Sequence, residues 1–401
     1  MVRYILLLLV SFMVFGWGPA GAANPVIPGN IRVDSGYDHI GVVWEISGDD
    51  NLNSQMTLEF RPQGSGAWQP AALAMRAYPS LSVNGAPLNL NYWGASALFL
   101  EQGVTYDLRL TLTDPDGGGA TQVVTGELRA EMVADPAGRQ LYVSPGNGGG
   151  SGSQGDPFLG LQFAADQAQP GDTFHILPGT YTPFTIETSG NPGSPISFVA
   201  TASGVIVAGD NTDRGVVTIG RFDAITSHII VEGLRITNGA WGIDAQNTQD
   251  ILIRRNQIDN VDFGVYNRRA NNWELNQTVC ENVIHGRVAW PGSGIPSERG
   301  IDLRGSGNVV CYNEVQNFGD CVSVQPSTGP AYSNDIYGND ISYCVDDGIE
   351  IDYNQSNVRV WRNRVMNARM GVSVQPIRGG PAYIFRNEFF NLESVPINMH
   401  N

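Results

Sequence analysis

The chain has 401 residues, enough for two or three domains that each bury a core, and a formal net charge of −16 in which all 23 basic residues are arginine. A charge this negative argues against nucleic acid or an anionic membrane as partner, and an anionic substrate would need a local basic groove or bridging cations. The five histidines are scattered and no HExxH or paired CxxC occurs, which argues against a zinc site and leaves no motif for an organic cofactor.

Residues 1–23 read as a secretory signal: Arg3, an apolar run from Tyr4 to Trp17, then Ala20-Gly21-Ala22. The run is too short to span a bilayer comfortably, so a secreted protein, extracellular or periplasmic, is expected, with a retained N-terminal anchor as the alternative. Loss of Arg3 with the leader makes the charge −17. Residues 24–134 alternate apolar and polar in short runs such as IGVVWEI, QMTLEFRP and VTYDLRLTLTD, the pattern of a β-sandwich. Trp44 and Tyr106 resemble the core tryptophan and corner tyrosine of fibronectin type III modules. No catalytic grouping is visible there, so a spacer or a carbohydrate-binding module is expected.

Ala134–Arg139 reads as a linker, and GNGGGSGSQG as a flexible segment without the GK[ST] ending of a phosphate loop. Pro157–Gln167 has the apolar spacing of an amphipathic helix, a cap for the C-terminal domain. From Ser227 the chain repeats: Gly233, Asn256, Asn282, Asn313, Asn339, Asn363 and Asn387 align in one column at spacings of 23, 26, 31, 26, 24 and 24. Each is followed by a second short strand: WGIDAQ, FGVYNR, RGIDLR, DCVSVQ, DGIEID, MGVSVQ, VPINMH. Such periodicity indicates a solenoid of parallel strands in which stacked coils share a core and the asparagine amides bond along the column. On these segments, residues 140–401 resemble the right-handed parallel β-helices of the pectin-lyase-like superfamily. The expected fold is therefore all-β, an N-terminal β-sandwich followed by a right-handed parallel β-helix. The last strand reads as uncapped at Asn401, and truncation is favoured over a covering subunit; a monomer is expected.

Registering the second strands gives two outward columns, Asp244, Tyr266, Asp302, Ser323, Glu350, Ser373 and Gln246, Arg268, Arg304, Gln325, Asp352, Gln375. Within VDDGIEID (345–352), Ile349 and Ile351 face the core while Glu350 and Asp352 face outward, with Asp346 and Asp347 in the turn that leads in. The strip has the composition of a sugar-binding groove, although outward positions are also polar wherever they simply meet water. The substrate-binding candidates are Asp302, Arg268, Gln325 and Gln375. Six arginines between Arg359 and Arg386, with no acidic residue among them, are a further candidate for holding uronates if they form one patch.

The resemblance implies a polysaccharide as partner and two chemistries. For β-elimination on an acidic polysaccharide, Asp320, Asp346, Asp347, Glu350 and Asp352 are candidate Ca²⁺ ligands; with no lysine, Arg304, Arg268 or Tyr266 are the placed bases. For hydrolysis, GDCVSV, VDDGIEI and RMGVSV resemble the successive-coil aspartates of polygalacturonases, with Asp320, Asp346 and Asp347 at the acidic positions; Met370 stands where that family has histidine, and no NTD or RIK motif occurs. Elimination is placed ahead of hydrolysis, and a non-catalytic adhesin or carbohydrate-binding protein is the alternative from another class. Cys280 and Cys311 fall on adjacent coils within disulfide reach, and Cys321 and Cys344 lie near neighbouring turns.

Overall fold

The structure, a computed structural model, describes residues 24–77, 80, 82–83, 86–268 and 274–399. The expected leader (1–23), the Arg268 side chain and Asn401 lie outside what it describes. No helix among the described residues is long and apolar enough to cross a membrane.

The alternating N-terminal runs form two antiparallel four-stranded sheets. One contains Val26–Ser35, His39–Gly48, Tyr92–Leu98 and Met75–Ala77; the other contains Ala120–Glu127, Thr105–Thr113, Gln55–Pro62 and Gln69–Pro70. Their inner faces enclose Trp44, Leu58, Tyr106, Leu108 and Leu110. The Tyr106 hydroxyl accepts a hydrogen bond from the Glu101 backbone N–H at 2.9 Å.

From Gln140 the chain winds into stacked coils that share an 11-stranded and a 14-stranded parallel sheet. In each coil one strand lies in the first sheet, and the second is crossed either by one longer strand, as in Thr226–Glu232 followed by Arg235–Gln246, or by two short ones, as in Val283–Gly286 and Arg299–Arg304. The core between the sheets is continuous and built mostly of Val, Ile, Leu and Phe, several from each coil stacked on those of the next. A single coil could not bury this face, so the coils are stable only as a stack.

The asparagine column closes the corner after each first-sheet strand. From Asn282 to Asn387, each Oδ1 accepts the backbone N–H and the side-chain amide of the preceding asparagine, beginning with Asn256, at 2.9–3.1 Å. Gly233 does not belong to this column. Glu232 pairs with Arg254, which puts Leu234 opposite Asn256, and the Leu234 N–H donates to Asn256 Oδ1 at 3.0 Å. Gly233 instead opens a column of left-handed residues just before the asparagines: Arg255, Glu281, Tyr312, Gly338, Arg362 and Arg386, with φ from 53° to 67°. The corner requires positive φ, which glycine adopts without the steric cost the other residues carry.

The amphipathic segment is shorter than its spacing predicts. Phe158–Leu159 joins the sheet, and the helix runs only over Leu161–Asp166 from a Gly160 N-cap, so Pro157 does not start it. Both cysteine pairs are disulfides, with Cα–Cα distances of 4.5 Å for Cys280–Cys311 and 5.6 Å for Cys321–Cys344.

The sandwich lies along the 11-stranded sheet rather than standing off as a spacer. Asn357 Nδ2 donates to the Val42 carbonyl at 3.2 Å, Arg129 Nη1 to the Gly307 carbonyl at 2.8 Å, and the His39 ring packs 4.5 Å from Trp361. Arg359, fully buried, pairs with Asp335 and donates to Ser96 Oγ at 3.1 Å. The outer strip of the other sheet therefore stays uncovered by the sandwich.

Candidate functional site

The outward columns follow from strand alternation. Val217, Ile243, Val265, Ile301, Val322, Ile349 and Val372 stack in the core, all fully buried. The next residue of each strand points away from it, so Thr218, Asp244, Tyr266, Asp302, Ser323, Glu350, Ser373 and Asn398 form one paired row. Two residues before the core position lies a second row, in which Trp241 pairs with Phe263, Arg299 with Asp320, and Asp347 with Met370. Asp346 and Asp347 lie within the strand Asp340–Glu350, at a register shift after Cys344, rather than in a separate turn. The Cys321–Cys344 disulfide ties together the two coils that carry Asp320 and Asp347.

At the centre of the strip stands Arg299, whose guanidinium faces three carboxylates on three coils. Its Nε lies 3.0 Å from Asp320 Oδ2, Nη1 3.5 Å from Asp302 Oδ2 and Nη2 3.4 Å from Glu350 Oε2. Burial opposes its charge, but the three carboxylates outweigh burial and raise its pKa above the ordinary arginine value. Glu350 Oε2 also accepts from Ser323 Oγ at 2.8 Å. Beside this group Arg304 reaches Asp302 at 2.8 Å and Gln325 Oε1 at 2.6 Å. Asp352 accepts from Ser373 Oγ at 3.0 Å and from the Gln375 backbone N–H at 2.8 Å.

Asp320, Asp346 and Asp347 each bring an oxygen within 4.8 Å of the others. Asp320 is held by Arg299, and Asp346 by Arg369 Nη1 at 2.9 Å. Asp347, only 4% exposed, has no such partner: its Oδ1 is buried without a hydrogen bond, although its backbone N–H donates to Asp320 Oδ1 at 3.3 Å. Burial, reinforced by Asp320, Asp346, Glu350 and Asp352, pushes its carboxyl up to about 9. Asp320 rises to about 7, through burial and Glu350 against the pull of Arg299. Asp352 rises to about 6, through burial and Glu350 against its two hydrogen bonds. A buried carboxylate among carboxylates is relieved either by a proton or by a cation.

The trio also fits a cation on geometric grounds. Two oxygens bound to one Ca²⁺ at 2.3–2.6 Å can lie at most about 5 Å apart, so a 4.8 Å spread accommodates one ion, with the orphaned Asp347 oxygen as a ready ligand. Of the five expected calcium ligands, Asp320, Asp346 and Asp347 come together, whereas Glu350 and Asp352 lie outside the trio, engaged by Arg299 and Ser323 and by Ser373 and Gln375.

Several other candidates are placed differently from their sequence reading. Asp302 and Ser323 are not on an exposed face but fully buried, because Arg299 and Arg304 lie over Asp302 and Glu350 over Ser323. Tyr266 is one coil removed from Asp302 and packs against Trp241 and Phe263, with ring centroids 4.9 Å from each. The backbone of Arg268 pairs with Gln246. The six arginines from Arg359 to Arg386 do not form one patch: Arg359 is buried against the sandwich, Arg362 and Arg386 flank Phe99, Arg364 pairs with Asp340, Arg369 with Asp346, and Arg378 lies over Tyr353. Arg299, the hub, was missing from the sequence candidates. The signal was present, since aligning Ile301 with Val322 puts Arg299 opposite Asp320.

Residues 242–401 match the family model described as a right-handed β-helix region. No curated protein matches the chain. Among solved structures, it is similar to the alginate lyase from Paenibacillus sp. str. FPU-7, at 16% identity, 59% of this chain and 96% of that one, and a TM-score of 0.33. It is also similar to purple acid phosphatase PPD1 from yellow lupin (Lupinus luteus) seeds, at 16% identity, 39% and 30% coverage, and a TM-score of 0.22. At these scores neither likeness bears on the chemistry.

Proposed function

We propose that this chain, with its right-handed β-helix region, is an exported enzyme that lays a polysaccharide along the outer strip and breaks a glycosidic bond at Asp347. The observation that carries the reading is Asp347, whose Oδ1 is buried without a hydrogen-bond partner among the carboxyls of Asp320, Asp346 and Glu350.

Hydrolysis is the chemistry that these side chains complete by themselves. A protonated Asp347 can donate to the leaving glycosidic oxygen, since its raised pKa keeps the proton at neutral pH. Asp346 or Glu350, beside Asp347, can take a proton from water. Arg299 orients Glu350 and holds Asp320, so the charges around the donor keep fixed positions.

β-Elimination, ahead on sequence grounds, needs a base beside the sugar C5 proton. Arg304 is engaged by Asp302 and Gln325, Tyr266 packs into the aromatic group, and neither contacts the trio. The close approach of Asp320, Asp346 and Asp347 nevertheless favours this second reading for a uronate substrate. A divalent cation held by the trio would supply positive charge to a sugar carboxylate, beside the further carboxyls of Asp302, Glu350 and Asp352 and the guanidiniums of Arg299, Arg304 and Arg369.

The test is incubation with polygalacturonate, alginate and a neutral galactan, with Ca²⁺ or with chelator. New reducing ends without ultraviolet absorbance, lost in Asp347→Asn, support hydrolysis. Absorbance from unsaturated uronate ends that requires Ca²⁺ supports elimination. Retention of the polymers with neither product would leave a binding protein and sink both enzyme readings.

A further inference from the structure

Further along the same strip stands an aromatic group that the cleavage chemistry does not use. Trp241 and Phe263 pair across adjacent coils, with ring centroids 6.2 Å apart and planes at 82°; Tyr266 sits 4.9 Å from each. All three rings are partly exposed, and none belongs to the core that fills the coils. Their positions belong to the rows of the acidic site. Trp241 and Phe263 occupy the row that continues into Arg299, Asp320 and Asp347. Tyr266 occupies the row that continues into Asp302, Ser323 and Glu350.

In the second of these rows every other paired residue is polar or charged. Three aromatic side chains together at outward positions leave apolar surface in water, a cost that packing of the coil does not require. A pyranose ring is a matched occupant: its C–H face stacks on aromatic carbon while its hydroxyl rim meets polar neighbours. Arg214, with its guanidinium 5.3 Å from the Trp241 ring centroid, offers a cation to a hydroxyl or carboxylate on that sugar. Tyr266 is three coil steps from Glu350, through Asp302 and Ser323, which at about 4.8 Å per step is roughly 14 Å. One glycan chain lying along the strip would therefore meet the rings several sugar units from the bond that is broken.

We propose that Trp241, Phe263 and Tyr266 form a stacking subsite for a sugar ring of the same glycan, which makes the protein selective for long chains over short ones. The inference rests on the strip being the glycan-binding face. It is tested with Trp241→Leu and Tyr266→Leu, which keep apolar bulk but lose the aromatic face, beside Trp241→Tyr and Tyr266→Phe, which keep it. The readouts are the ratio of kcat/KM on long polymer to that on short oligosaccharide, and retardation of polygalacturonate, alginate and galactan in affinity gels of the Asp347→Asn protein carrying the same changes.

The expected result is a loss of about tenfold in long-chain selectivity and in retardation for the leucine pair, with most of it restored in the aromatic pair. Equal selectivity and retardation in the leucine variants overturn the subsite, while cleavage by the unaltered protein leaves the assignment at Asp347 standing. Polymers retained through the rings but never cleaved keep the subsite and overturn the cleavage reading. Polymers neither retained nor cleaved overturn both.

Discussion

Asp347→Asn separates the electrostatic account of the acidic site from a purely steric one. With the carboxyl at about 9 in the folded protein and 3.8 as its ordinary value, the unfolded chain loses this proton well before the folded one does. Stability that is complete below about pH 4 is then lost as pH rises towards 9. At pH 7 the gap is about three pH units, which sets a ceiling of roughly 4 kcal/mol at about 1.4 kcal/mol per unit. Asp320 is raised as well and shares in the titration, so we expect the asparagine variant to recover about half of that, roughly 2 kcal/mol. The assay is denaturant unfolding of both proteins in chelator at intervals from pH 4 to 9. The difference should be smallest at pH 4 and grow steadily with pH, while turnover falls by about 100-fold or more at all pH values. Added Ca²⁺ should stabilise the original protein more than the variant, which lacks one carboxylate of the trio. Parallel stability profiles for the two proteins would refute the argument, because they would mean that Asp347 gives up its proton at the same pH whether folded or not.

Other changes test neighbouring parts of the same reasoning. Arg299→Gln leaves Asp302, Asp320 and Glu350 without their shared cation and should destabilise by about 3 kcal/mol, with a larger deficit at pH 8 than at pH 5, read from denaturant midpoints. Asn313→Ala strips the Asn282 N–H and the Val279 carbonyl of their buried partner and should cost about 1–3 kcal/mol; hydrogen exchange should rise locally at the Asn282 amide. Replacing Cys321 and Cys344 by alanine should cost about 2–4 kcal/mol and, because that bond joins the coils carrying Asp320 and Asp347, should lower kcat more than the same change at Cys280 and Cys311.

The coil was legible in the sequence because its determinants are local and repeated. Alternating Val and Ile fix which side chains enter the core, so pairing Val322 with Ile349 was enough to place Ser323 beside Glu350. The asparagine column was readable for the same reason, and its one slip, Gly233 for Leu234, arose because a residue required for positive φ resembles a ladder member when spacing is the only guide.

Periodicity could not decide what covers an outward residue. Asp302 faces away from the core yet is buried, because Arg299 and Arg304 fold across it; nothing in its own strand distinguishes it from Glu350, which remains partly open. The docking of the sandwich belongs to the same class, since Arg359 is spent on Asp335 and Ser96 instead of joining a basic groove. The sequence by itself therefore determined the stack and its rows, through side-chain alternation within each strand. Only the tertiary structure decided which outward carboxylates are covered and which oxygens, Asp347 Oδ1 among them, are left without a hydrogen bond, because that depends on the reach of side chains from other coils and other strands.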